Sequence, residues 1–396
     1  MNSKILFAYV AFLAILQFLA LDITLPIFVT LTSFFDTTPG DVQQSASAYL
    51  LGMAAGQVLW GALSDTFGRR SILMVSLGIF SLATLACTIV PTIEWLWAAR
   101  FIQAVGVCAP AAIWQSILVD TCEAHRRDIV FAWVFPITAL SPIFMPMVGA
   151  FLLETAGFES TFLFTAGVGI FLLTMTIIWL KETLPVHKRH PLAFHTYIKH
   201  AMNLMTCPVF MGNTGLICLS SASFYVFLTE FPFVVDRVGL SEAAMGPLII
   251  PQTILFMIGG ALSAWMARTW GKTNALLYVT LLAIAGAVML CASVMLYPLT
   301  SVWQVLAPYA VTAFSNGAIY PLAFSLIFEV HDDKAGTAAG WVAFYLALMG
   351  FVGAFFMGLF SSWGEVGMAI LVLAFYVLCL GSWMLAALFL KRHATH

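Results

Sequence analysis

Apolar residues run along this 396-residue chain in twelve long stretches, at roughly 5–31, 45–64, 71–91, 95–119, 129–153, 160–180, 208–234, 243–266, 273–297, 301–328, 336–361 and 366–390. Each is near the ~20 residues that a helix needs to cross a bilayer. Apolar and polar residues do not alternate within them, so the period of two that marks a membrane β-barrel is missing. The pattern predicts an all-α membrane protein of twelve transmembrane helices. Met1-Asn2-Ser3-Lys4 leads into the first stretch without the small-residue cleavage pattern of a secretory signal, so that stretch is expected to be a retained helix.

Composition strengthens this picture. Hydrophobic residues make up 62% of the chain and charged ones only 9%, too much apolar surface for a soluble core to hide. The lipid bilayer is the expected surroundings. A net charge of −2 offers no basic patch for nucleic acid. Seven cysteines stand singly, at positions 87, 108, 122, 207, 218, 291 and 379, with no ligand spacing. They predict thiols packed among helices, and no metal or cofactor is expected.

Charge then orients the spans. If twelve helices alternate across the membrane, Lys4, Arg69, Arg70, Arg126, Arg127, Lys181, Lys188, Arg189, Lys199, Arg268, Lys272, Lys334, Lys391 and Arg392 share one side, leaving only Arg100 and Arg237 among the sixteen basic residues. The positive-inside rule makes that side the cytoplasm, with both termini inside a cell inner (plasma) membrane. The longest polar interruption carries His187, His190, His195 and His200 and splits the spans six and six. A solvated linker is favoured over a metal site there. The expected organisation is an N-terminal six-helix bundle at 1–180, a cytoplasmic linker at 181–205 and a C-terminal six-helix bundle at 206–396.

The two halves echo one another. Gly61-Ala62-Leu63-Ser64 returns as Gly260-Ala261-Leu262-Ser263, and Gly149-Ala150-Phe151 as Gly353-Ala354-Phe355. Asp120 and Glu329 each close a long stretch before a basic loop. In the first copy Asp65 and Arg69 stand four apart and can pair, with Asp120 able to join them, while Gly68 frees the backbone for a tight turn. The second copy has Ala264 in place of the acid.

The decapeptide Gly61-Ala62-Leu63-Ser64-Asp65-Thr66-Phe67-Gly68-Arg69-Arg70 resembles the loop 2–3 signature of the major facilitator superfamily. That resemblance implies the major facilitator fold, two pseudo-symmetric six-helix bundles, with Gly61, Asp65, Gly68, Arg69 and Asp120 forming a conformational latch. Arg70 is expected at lipid headgroups.

Asp22 lies deep in the first stretch, where a carboxylate costs ~2.5–3.5 kcal/mol on insertion scales. It sits roughly 14 Å, and Arg100 roughly 9 Å, from the outer ends of their spans, at similar depth. Arg100 is therefore the expected partner. A structural ion pair and a titrating site both fit these residues.

Arg100, Gln103, Val107, Ala111 and Trp114 share one helix face. Arg100 to Gly106 resembles the R-x-x-Q-G motif of proton-coupled facilitators, with Ala104 at its glycine. Pro142, Pro146 and Gly149 are expected to bend the fifth span, for packing or for function; they resemble part of the antiporter motif of drug:proton antiporters. Glu230 precedes Phe231-Pro232-Phe233-Val234, similar to the helix 7 exit of Bcr/CflA-type exporters. It is either a carboxylate for a cationic substrate or an interfacial acid facing Arg237. Trp133, Tyr225, Asn316 and Tyr320 are further residues that can meet a substrate.

Together these likenesses point to the 12-helix drug:proton antiporter branch, Bcr/CflA-like. They imply export of hydrophobic or cationic small-molecule substrates in exchange for protons. An importer or exporter of a sugar, organic acid or siderophore is the alternative. An enzyme is not expected, since no G-x-S-x-G, H-E-x-x-H or P-loop occurs and His125 and His331 stand alone. A channel is not expected either, since one chain holds both halves of an alternating-access machine, and a monomer is the expected state.

Overall fold

The computed structural model describes residues 3–123, 140–185, 205–330 and 335–394, together with 130, 133, 134, 137, 138 and 189. The four linker histidines, His125, Arg126, Arg127 and His331 lie outside the described residues, as does most of the expected linker. All regular structure among the described residues is helical. In the first half run α1 (Ser3–Asp22), α2 (Phe28–Phe34), α3 (Pro39–Phe67), α4 (Arg69–Ala86), α5 (Ile93–Thr121), α6 (Ser141–Ala156) and α7 (Glu159–Ile178). The second half holds α8 (Pro208–Arg237), α9 (Met245–Trp270), α10 (Lys272–Leu296), α11 (Trp303–Val330), α12 (Ala335–Leu359) and α13 (Gly364–Ala394).

These helices fall on the twelve apolar stretches, with two differences: α6 starts at Ser141, the earlier part of the fifth stretch being only partly among the described residues, and the first stretch is divided. The first stretch forms two helices, because Pro26 has no N–H to donate to the carbonyl of Asp22 and disfavours helical geometry at Leu25. Residues 23–27 turn instead, and Thr24 closes a tighter bond to Leu21.

The helices form two compact units, Met1–Phe194 with Met245–Pro247, and His195–Ala244 with Leu248–His396. In the first unit α1 packs on α5, α6 and α7, and α4 on α5 and α7. The second repeats the plan, with α8 on α11, α12 and α13, and α10 on α11 and α13. One layout thus serves both halves, as the sequence echoes predict.

Local signals set the helix ends. Thr38 and Asp41 form a capping box at the start of α3, with Pro39 in the first turn where its missing N–H costs nothing. The Asp41 carbonyl also accepts from the indole of Trp97 at 2.8 Å, tying α3 to α5. Gly68 and Gly271 close α3 and α9 at φ 95° and 76°, in the region a side chain strains to reach, and the next helix starts at once. Apolar side chains left outside each unit, such as Leu82, Phe151, Leu296 and Leu388, are surface for lipid tails.

Candidate functional site: a broken helix and its supports

The break after Asp22 leaves polar groups exposed to a low-dielectric interior, and neighbouring helices satisfy them. Because Thr24 N–H turns to the Leu21 carbonyl, the Ala20 carbonyl loses its partner four residues on. Arg100 of α5 supplies one, its Nη1 donating to that carbonyl at 2.9 Å. The same guanidinium donates to Gln103 Oε1 at 2.8 Å and Thr24 Oγ1 at 3.1 Å, and stacks over the Tyr49 ring at 4.6 Å. Gln103 in turn donates to Thr84 Oγ1 of α4 at 2.8 Å. A cation at a helix C-terminus is favoured by the helix dipole. Arg100 is only 1% exposed, so these bonds are what make its burial tolerable.

Asp22 faces another way. Its Oδ2 accepts from the Ser141 hydroxyl of α6 at 2.9 Å, and both side chains are buried. The expected direct pair with Arg100 is not formed: among the described residues no ion pair within 4.0 Å joins them. The physical reason is the break itself, whose freed carbonyl and threonine hydroxyl claim the guanidinium.

Of the expected bend in the fifth span, the structure keeps one proline inside the helix. Pro142 lies in the first turn of α6, where no N–H is needed, and only Pro146 is interior. Gly149 touches the broken helix directly: a Cβ there would collide with the Ile23 carbonyl. The second unit repeats the contact, with Gly353 of α12 against the Ala222 carbonyl of α8. Yet α8 runs unbroken through Ala222. The same close approach therefore meets a turn in one half and a regular helix in the other.

The loop 61–70 builds the second polar centre. Arg69 Nη1 lies 2.6 Å from Asp65 Oδ1 and 2.6 Å from the Ser64 hydroxyl, while its Nε is 3.6 Å from Asp120 Oδ2. Asp65, Arg69 and Asp120 thus meet as expected. Gly61 lies within α3, and its surroundings fall outside the described residues. Sequence reasoning missed Glu182, which accepts from the backbone N–H of Arg69 at 2.9 Å and of Arg70 at 3.3 Å. It caps α4 at its positive end, and Thr183 beside it donates to Asp120 at 3.2 Å. Gly68 makes room, since a Cβ there would strike the Glu182 carboxylate. Arg70, expected at lipid headgroups, donates to the Ile177 carbonyl at the end of α7, at 2.8 Å. In the second unit Lys272 holds the place of Arg69 and donates to the Ser325 hydroxyl at 2.5 Å.

The other predicted residues do not join the Asp22 cluster. Trp114 is buried on α5, and Trp133 is exposed. Within the second unit, Glu230 is fully buried and pairs with Arg237 at 2.7 Å, which reaches Glu365 of α13 at 2.6 Å. Of its two expected readings, the geometry matches the acid facing Arg237. Tyr225 lies beside the Phe224 ring, and Tyr320 meets Phe256 edge-on. Asn316 is buried, and its Oδ1 has no hydrogen-bond partner among the described residues. Thr24, Thr84 and Ser141 were also missed. The available signal was a hydroxyl two residues from Asp22 and another directly before Pro142, both in apolar surroundings.

A duplicated set of six helices with a charged loop at the 2–3 turn of the first copy defines a membrane transporter. The sequence matches the Major Facilitator Superfamily over residues 10–354, and the chain belongs to that family. It is a multi-pass membrane protein. Among curated relatives it is 29% identical to the uncharacterized MFS-type transporter YdgK of Bacillus subtilis (strain 168), over 85% of this chain and 84% of that one. It is 26% identical to multidrug resistance protein MdtL of Vibrio parahaemolyticus, over 84% and 85%. Its fold is similar to a bacterial homolog of the human lysosomal transporter Spinster in an inward-facing, unoccupied conformation, with a TM-score of 0.74, 15% identity and 98% of each chain covered.

Proposed function

We propose that this transporter is a proton-coupled antiporter, exporting hydrophobic or cationic drug-like compounds across the inner membrane by alternating access, with both termini cytoplasmic. The observation that carries the reading is the state of Asp22. It is a buried carboxylate held by a neutral hydroxyl, while the nearby guanidinium is engaged elsewhere. A carboxylate locked to an arginine gives up its charge reluctantly, whereas one held only by a hydroxyl can take and release a proton. The naming of the Vibrio relative supports the substrate class. So does the shortage of buried charged groups beyond Asp22, Arg100 and Glu230 among the described residues.

In this mechanism a proton entering from outside neutralises Asp22. Substrate binding from inside favours its release, so the two ligands compete through one group. Asp65, Arg69 and Asp120 hold one state and part in the other. Each proton moving down about 100 mV contributes ~2.3 kcal/mol, enough to sustain a gradient of roughly fifty-fold for a neutral compound.

The test is transport of ethidium and a panel of neutral dyes in everted vesicles, with and without an uncoupler. Export that collapses with the uncoupler, and that Asp22→Asn abolishes while the protein still inserts, is the expected result. Equal export by the variant removes Asp22 from the coupling role, and indifference to the uncoupler removes proton coupling altogether.

A further inference from the structure

Ser141 is the first residue of α6, and its hydroxyl is the group that holds Asp22. We propose that Ser141 is a positioning residue that reports the charge of Asp22 to α6; this rests on the proton-coupling reading above.

The argument is one of hydrogen-bond inventory. An ionised carboxylate only accepts, so Ser141 must donate to it. When Asp22 takes a proton on Oδ2, that O–H faces Ser141 Oγ, its hydrogen-bond partner, which must then accept. The serine hydrogen then has to turn away. Ser141 opens α6, so the carbonyls it can turn to lie before the helix, such as that of Ile137, which also accepts from the Leu140 N–H at 3.3 Å. Protonation at Oδ2 thus reverses the Asp22–Ser141 bond at the start of α6.

The packing gives that change somewhere to go. Gly149, two turns further along α6, is seated on the Ile23 carbonyl next to Asp22. The helix is therefore joined to the break at two points, one that depends on charge and one that depends on shape. No space separates Gly149 from Ile23, so an adjustment at Ser141 must be taken up by the turn at residues 23–27 or by α6 as a body.

The groups around Asp22 leave Ser141 as the responsive partner. From α5 comes Arg100, spent on Ala20, Thr24 and Gln103. Tyr49 of α3 lies under that guanidinium and donates to the Gln17 carbonyl, and Cys87 donates to Ala83. The hydroxyl contact of α7 with α1, Thr176 on Tyr9, lies thirteen residues from Asp22 along α1, roughly 20 Å away. The acids of the α6–α7 turn are the exposed Glu154 and the half-buried Glu159.

Infrared titration of the purified full-length protein tests this without a substrate. The carbonyl stretch of protonated Asp22 is identified as the band that Asp22→Asn removes. Ser141→Ala removes the partner of both protonation states, and because the bond to the charged form is the stronger, the midpoint of that band is expected to move to higher pH by about one unit. Ser141→Thr, which keeps the hydroxyl, restores it. Ser141→Cys, a weaker donor, gives a smaller shift in the same direction, and decides the matter if the alanine variant fails to fold. Coincident midpoints in parent, alanine and cysteine variants overturn the proposal. Dye export abolished by Asp22→Asn alongside coincident midpoints leaves the coupling role standing and removes only Ser141, whereas export retained by Asp22→Asn removes both.

Discussion

Arg100 donates to the carbonyl of Ala20 at 2.9 Å, in the place that the backbone N–H of Thr24 leaves when it turns to Leu21. The residue expected as the counter-ion of Asp22 is thereby the cap of a broken transmembrane helix. In hydrocarbon an unsatisfied carbonyl is costly, and only helices and closed barrels avoid it without help. Here the help crosses from α5 to α1.

This assignment predicts what lysine does at position 100. An ammonium keeps the charge but lacks the planar fork that reaches Ala20, Thr24 and Gln103 together. Arg100→Lys should leave at least one buried acceptor unpaired, at about 1–3 kcal/mol. Lower thermal stability in detergent together with loss of dye export is the expected result. A lysine variant as stable as the parent would contradict the capping role.

Gly149 makes a steric prediction. An added methyl must displace the Ile23 carbonyl, so Gly149→Ala is expected to cost about 1–3 kcal/mol and to slow export severely. Gly78 of α4 is the control, since nothing lies within 4 Å of its missing Cβ. Gly78→Ala should be silent, or slightly stabilising through helix propensity. Melting temperatures and initial export rates of the two variants make the comparison. Equal behaviour would mean that the contact with the break is unimportant.

The Asp65–Arg69–Asp120 cluster should act on rate more than on stability. The Asp65 side chain is half exposed, and pairs of that kind contribute about 0–1 kcal/mol. Asp65→Asn is accordingly expected to leave the melting temperature nearly unchanged and substrate affinity intact, while turnover falls. Equilibrium dye binding and export rates on the same preparation separate the two. Altered affinity with normal turnover would sink the latch assignment.

What was legible from sequence follows from how far each feature reaches along the chain. Twelve spans could be read because lipid demands long apolar runs. The turn glycines Gly68 and Gly271 could be read because both sit between an apolar run and a basic residue. The break at residues 23–27 was only half visible: Pro26 was in plain view, but proline also occurs within intact helices here, as Pro146 and Pro232 show. Ser141 stood out only as a hydroxyl before Pro142, because its meaning lies in α6 packing against α1. Glu182 was hidden for the same reason, its partners lying more than a hundred residues away.

Glu230 shows the distinction most sharply, and it yields the final prediction. Arg237 lies seven residues on, two helical turns along the same face, so that pairing was among the sequence readings. Glu365, 128 residues from Arg237, was not. The arginine bridges α8 to the first turn of α13, passing Gly364, where a Cβ would crowd the guanidinium. A fully buried carboxylate whose partner is removed is left as an uncompensated charge, which costs far more than losing both groups. Glu230→Gln and Arg237→Gln should therefore each destabilise the protein, and the double variant should be less harmed than their sum, with a coupling of about 1–3 kcal/mol. Chemical denaturation of the four proteins in detergent measures it. The cycle also separates the two roles of Glu230. If the acid serves the ion pair, cationic and neutral dyes lose affinity alike or not at all; a loss confined to cationic dyes, with negligible coupling to Arg237, would return Glu230 to the substrate site.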